Sequence, residues 1–338
     1  MIAQFSRQAS LTRSSRRSEQ AKLGSALAGV RTLLLETQGE RGGWPAAPAF
    51  PLTTESTALG LLAISFSSEE SSRLAANRAR AWLQDRQRPD GSWPHSDQVR
   101  HGNWATSLAV LALSRFPEEK AAADAGARWL LGQEGRGYTW FTKLVLLLFP
   151  ERKSIKLDPD LIGWPWYPDT FSWIEPTSYS LIALKSRRPD LRGRRARARI
   201  GEAERMILDR ECLGGGWNYG NSRVLDEELW PYPDTTALAL IALQDLGGSE
   251  SVERSLTALE KMIQDPASVL GLALAVLALQ LHGRDVSPVR SLLADRVEDE
   301  RLPADTRSLA FAALALDDNA MPLAVPSDPL RRAGSADG

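Results

Sequence analysis

The feature that most constrains this 338-residue chain is an internal repeat. Residues 87–114 read QRPDGSWPHSDQVRHGNWATSLAVLALS: Gln87 closes a helical pattern, Gly91 and Trp93 sit in a polar turn, and an apolar helix begins near Thr106. The same order recurs twice. Gln38, Gly42 and Trp44 precede Thr57 and ALGLLAI, and Glu211, Gly215 and Trp217 precede Thr236 and ALALIAL. Gln133 and Gly137 keep half of another copy, with Thr139 in the tryptophan position. Self-similarity of this kind marks stacked helix pairs, so one continuous body is expected although the length would suffice for two average domains.

Two kinds of helix alternate along the chain. Charged, amphipathic segments fall at 19–37, 71–87, 119–133, 190–210 and 249–264, with apolar residues at helical spacing such as Leu23, Leu27, Val30 and Leu34. Short, almost wholly apolar segments fall at 57–66, 105–115, 177–185, 235–245, 268–281 and 306–316. A helix that is hydrophobic all round must be buried. Charged helices outside and apolar helices inside describe an all-α fold, an α/α toroid, with few strands. The expected organisation is a disordered basic arm at 1–18, the toroid at 19–318 and a disordered tail at 319–338. The connections rich in Gly, Trp and Pro gather at one end of the ring, where function usually resides. The longest, about 134–173, carries its own apolar stretch Leu144–Phe149 and reads as an insertion, a lid or binding element.

Composition narrows the function classes. A net charge of −1 argues against an obligate nucleic-acid binder. The single Cys212 excludes an internal disulfide framework and favours a reducing compartment. No apolar run approaches the roughly 20 residues needed to span a bilayer. A cytoplasmic protein is expected. The basic run from Lys185 to Arg199 reads as a solvated face, with contact to an anionic membrane surface as the alternative.

The Gln-x-x-x-Gly-x-Trp spacing at 38/42/44 and 87/91/93 resembles the QW motif of squalene–hopene and oxidosqualene cyclases, and Trp173-Ile-Glu-Pro-Thr-Ser-Tyr-Ser is similar to prenyltransferase/squalene-cyclase repeats. The resemblance covers roughly residues 20–317. The motif's own chemistry is structural: Gln bonds free carbonyls at its helix end, Gly lets the chain reverse, and Trp packs over the junction. What the resemblance implies is a terpenoid cyclase working by acid-initiated carbocation chemistry on a lipophilic isoprenoid, with no cofactor. Tyr232-Pro-Asp-Thr-Thr resembles the D-x-D-T-T form of the class II acid motif. Asp234 then falls on the proton-donating position, with Tyr232 and Thr235 tuning it, although Tyr232 replaces the first Asp of the pattern. The cyclases usually place the reaction between two helical domains, so the cavity would have to be closed by the insertion or by a partner subunit.

Acids recur two or three positions upstream of four apolar helices: Glu55, Glu175, Asp234 and Asp305. In a toroid these converge on one mouth. Helix-start chemistry alone also places acids there. The tryptophans are numerous, 11 against 5 Tyr and 8 Phe. Trp104, Trp164, Trp166, Trp173, Trp217 and Trp230 are candidates for the wall of a substrate cavity, since ring faces attract cations; a solid core would use them equally well. No metal site is expected, because His95, His101 and His282 form no ligand spacing with Cys212. Two other functions stay open: a non-catalytic toroid that binds an isoprenoid or protein partner, and a glycan-active toroid using Glu55, Glu175 and Asp234 as paired carboxylates.

Overall fold

The computed structural model describes residues 2–140, 144, 148, 157–158, 160–187, 193–225, 227–264, 268–298, 305–318 and 321–326, with side chains from residue 17 onward. Twelve helices in this set alternate between an outer and an inner ring. The inner helices are α2 (Thr54–Ile64), α4 (Ala105–Leu113), α6 (Ile174–Ser186), α8 (Pro233–Ala242), α10 (Val269–Leu281) and α12 (Thr306–Leu316). The outer ones are α1 (Ile2–Glu36), α3 (Glu70–Arg86), α5 (Lys120–Leu131), α7 (Arg194–Asp209), α9 (Glu250–Met262) and α11 (Ser287–Glu298). Every residue of α4 is buried, whereas α9 buries only the stripe Val252, Ser255, Leu256 and Leu259. That difference is the apolar–amphipathic alternation of the sequence turned into two layers.

Each inner helix packs against the next, and α12 returns to α2, so the ring closes. α3, α5, α7, α9 and α11 each cover the inner helix before them in the chain, and α1 covers α12. The two ends of the chain are thus neighbours. Thr306 fixes the closure: its N–H donates to Ala46 O at 2.9 Å and its hydroxyl to Pro45 O at 2.7 Å. Lys22–Asp295 and Arg31–Asp317, both 2.6 Å, tie α1 to the C-terminal elements. Helix α1 begins at Ile2, within the segment expected as an arm. In the segment expected as a tail, Leu323 is buried and Gln244 bonds both Leu323 O and Val325 N. Strand structure among the described residues is limited to two ladders of two residues per strand.

The repeat is a junction staple. Trp44, Trp93, Trp164 and Trp217 are fully buried, and each indole N–H donates to a carbonyl at the end of an outer helix: Leu34, Leu83, Leu130 and Ile207 respectively, at 2.7–2.9 Å. Each Trp backbone N–H donates to the hydroxyl of Thr57, Thr106, Thr177 or Thr236 on the next inner helix. Gln38 and Gln87 bond the turn glycine carbonyl and a carbonyl of the following outer helix. Gly91 turns at φ 90°, and a Cβ placed there would lie 2.7 Å from Ala125 O, so the close approach admits no side chain.

The copy at 133/137/139 is corrected: its tryptophan is Trp164. Gly135 N–H bonds Gly163 O, as Gly39 bonds Gly43 in the first copy, and the chain between is the insertion. Arg199 replaces the glutamine there. It donates to Ile162 O, Gly163 O and Gln133 O and lies 3.8 Å over the Trp164 ring. The basic run is therefore not one solvated face, since Lys185, Arg187 and Arg199 are buried while Arg194, Arg195 and Arg197 are exposed. Of Leu144–Phe149, only Leu144 and Leu148 are described, both helical and exposed; the remainder lies outside the described residues. No helix is long and apolar enough to cross a membrane among the described residues.

Candidate functional site

The staples place the first turns of the inner helices side by side, and the acids there meet. Their jobs divide. Asp305 caps α12, accepting from Ser308 N at 2.8 Å, as helix-start chemistry dictates. Glu55 and Glu175 flank the guanidinium of Arg307 from the first turn of α12: Nη2 donates to Glu175, and Nη1 lies 4.0 Å from Glu55. Asp234, in the first turn of α8, is half-buried and makes no hydrogen bond or ion pair among the described residues. It is close enough to raise the pKa of both Glu175 and Tyr219.

The electrostatics follow from burial. Desolvation holds the Glu55 carboxyl above its ordinary range, with Arg307 opposing and Asp305 reinforcing. Glu175 is raised for the same reason, with Glu55 and Asp234 adding to the effect against Arg307. Burial works against the charge of Arg307, but Tyr179, Glu175 and Glu55 outweigh it, so this cation is permanent. Tyr179 is buried beside Arg307, and desolvation drives its pKa up.

An aromatic wall stands beside these groups. Trp104 meets Trp166 edge-on at 4.8 Å, stacks with Tyr179 at 6.1 Å and has His95 at 6.0 Å. Burial lowers the pKa of His95 and favours its neutral form. Across the mouth, Tyr219 and Tyr232 are tilted ring on ring at 5.3 Å. Charged floor and aromatic wall together suit a cation or a polyhydroxylated ring, and disfavour a diphosphate, which the surplus of acids would repel.

The sequence candidates thus separate. Glu55, Glu175, Asp234, Trp104 and Trp166 surround the mouth. Trp164 and Trp217 do not: both are sealed in staples, with their only polar atom bonded to backbone. Trp230 is 83% exposed on the loop ahead of α8. Trp173 lines a separate pocket together with Arg210. Among the described residues, Tyr232 makes no hydrogen bond to Asp234, and Thr235 is buried without a side-chain hydrogen bond. Arg307 was missed. Its signal was a lone cation in the first turn of an otherwise apolar helix. No cluster of three or more His, Cys, Asp or Glu able to hold a metal occurs among the described residues.

Closed inner and outer rings with a polar mouth define an α/α toroid, and solved structures agree. A point variant of type II terpene cyclase MstE from Scytonema, in complex with its product merosterolic acid A, superposes with a TM-score of 0.57 at 14% identity, over 89% of this chain and 97% of that one. Cellobiose 2-epimerase from Spirochaeta thermophila gives 0.58 at 13% identity, over 92% and 98%. An inactive variant of an α-1,6-mannanase from Salegentibacter, in complex with α-1,6-mannotriose, gives 0.54 at 10% identity, over 89% and 98%. No protein-family model matches the sequence, and no curated protein matches it significantly. At these identities the likeness establishes the fold.

Proposed function

We propose that the mouth is the active site of a terpenoid cyclase-like enzyme in which Asp234 starts cyclisation by giving a proton to an isoprenoid alkene. The observation that carries this reading is the division of labour among the first-turn acids. Asp305 is spent on a cap and Glu55 and Glu175 on Arg307, whereas the carboxyl of Asp234 is uncommitted beside two tyrosine rings. Protonating an alkene demands a strong acid. Glu55 and Glu175, whose protons are held above the ordinary range, are the weaker candidates.

The proton leaves the Asp234 carboxyl and forms a C–H bond with the π electrons of a terminal double bond. The cation at the adjacent carbon is then attacked by the next double bond, closing a ring. Loss of a proton to the Asp234 carboxylate or to water ends the sequence and leaves an isomer of the substrate. In this reading the exposed rings of Tyr219 and Tyr232 beside Asp234 stabilise the migrating charge, and the acid surplus of the mouth favours it further.

A second reading is supported by the two raised carboxyls on either side of Arg307. A glycan-active toroid needs one carboxyl protonated near neutrality and another ionised, and desolvation of Glu55 and Glu175 works in that direction. One experiment separates the two. The protein is incubated in deuterated water with squalene and linear prenyl alcohols, and separately with α-1,6-mannotriose and cellobiose. The first reading predicts a cyclic isomer carrying one carbon-bound deuterium. Conversion of an oligosaccharide, with isoprenoids untouched, replaces it with the second.

A further inference from the structure

Among the described residues, nearly every buried cation has its charge answered. Lys185 lies against Glu204 and Asp245, Arg187 against Asp124, and Arg199 against Glu202 and three carbonyls. Arg210, the residue that ends α7, departs from this pattern. It is 8% exposed, only its Nη1 is bonded, to Ser172 O at 2.7 Å, and its Nε is buried without an acceptor. Among the described residues no carboxylate stands within ion-pair distance of it. Burial pushes its pKa down to about 10. A desolvated guanidinium with one neutral partner is a costly arrangement, and an anion beside it removes much of the cost.

There is room for that anion. Arg210 lines a pocket of about 170 Å³ whose other walls include Leu157, Leu161, Phe171 and Trp173. The volume lies below the roughly 300–1,000 Å³ of sites for drug-sized ligands, so the occupant is compact. We propose that this pocket binds a small monoanionic carboxylate with a flat apolar or aromatic body, its oxygens on the free edge of the Arg210 guanidinium. A planar fork of N–H groups matches a carboxylate. Arg136 and Asp158 also border the pocket and offset one another, so the charge left to be answered is that of Arg210, which suits a monoanion better than a phosphate dianion. None of Glu55, Glu175, Asp234 or Arg307 lines this pocket, so it stands or falls apart from the reading of the mouth.

The test is calorimetric titration of the full-length protein with benzoate, with its neutral isostere benzamide and with inorganic phosphate. Benzoate is expected to bind saturably, and benzamide and phosphate at least about tenfold more weakly. Arg210→Gln should erase the preference for benzoate over benzamide. Phe171→Ala, at a half-exposed wall position that the fold does not depend on, should weaken benzoate while leaving that preference in place. Should Arg210→Gln fail to fold, the wild-type preference and the Phe171 variant still decide. Failure of benzoate to bind, or equal affinity for benzoate and benzamide, overturns the proposal. Phosphate binding as tight as benzoate overturns the assigned ligand class.

Discussion

Glu55 shows how one side chain at the mouth ties function to stability. Its folded-state pKa is raised above the ordinary value of 4.5, chiefly by desolvation. The folded protein therefore binds more protons at this site than the unfolded chain does. By linkage, its contribution to stability is fully present below the unfolded-state value and is lost as pH rises through the folded-state value. Replacing Glu55 by Gln removes that pH dependence. Urea unfolding of the two proteins at about pH 4 and about pH 8 should show the variant gaining on the wild type at the higher pH. A difference that does not change with pH would show that burial does not govern this carboxyl. Arg307 illustrates what the sequence concealed at this scale. A cation in an apolar helix is visible in the sequence, but its acid partners sit on α2 and α6, and only ring closure brings them to it.

At the scale of elements, the turns and the cross-helix clamps carry the testable consequences. Gly91 and Gly214 both have positive φ, 90° and 85°, yet only Gly91 is crowded: an added Cβ would lie 2.7 Å from Ala125 O, while nothing stands within 4 Å at Gly214. Gly214→Ala should cost about 1–2 kcal/mol, the left-handed backbone strain alone. Gly91→Ala should cost at least about 1 kcal/mol more, because a backbone must move. Equal chemical-denaturation midpoints for the two variants would contradict the staple as described. Lys185 is the corresponding clamp, a fully buried ammonium on α6 that holds Glu204 of α7 at 2.8 Å and Asp245 beyond α8 at 2.5 Å. Lys185→Met withdraws the cation that two buried carboxylates share and should cost about 3–5 kcal/mol; near-native stability in urea would contradict it.

The alternation of helix types, the staples at 38/42/44 and 87/91/93, and the mouth at the inner-helix starts were all legible in the sequence, because each is a local pattern repeated. What was not legible depended on long-range closure. Trp164 was separated from Gln133 by the insertion, so the spacing led to Thr139 instead. Lys185 and Arg199 looked like part of a solvated run because nothing local shows that they turn inward to carboxylates and carbonyls. Trp164 and Trp217 were drawn into the cavity wall by residue type alone, although the internal repeat already placed Trp217 at a helix junction.

For the whole molecule, closure of α12 onto α2 is what gives the toroid a single mouth, and the central claim is that Asp234 at that mouth is the acid. The most direct test is Asp234→Asn, with fold verified by circular dichroism and an unchanged melting transition, assayed for cyclic product from the isoprenoid that the wild type converts. Asp234 makes no hydrogen bond that the fold needs, so the variant should fold as the wild type does. Formation of the cyclic, singly deuterated product should fall by at least about 100-fold. A folded Asp234→Asn protein that forms that product at the wild-type rate would contradict the account.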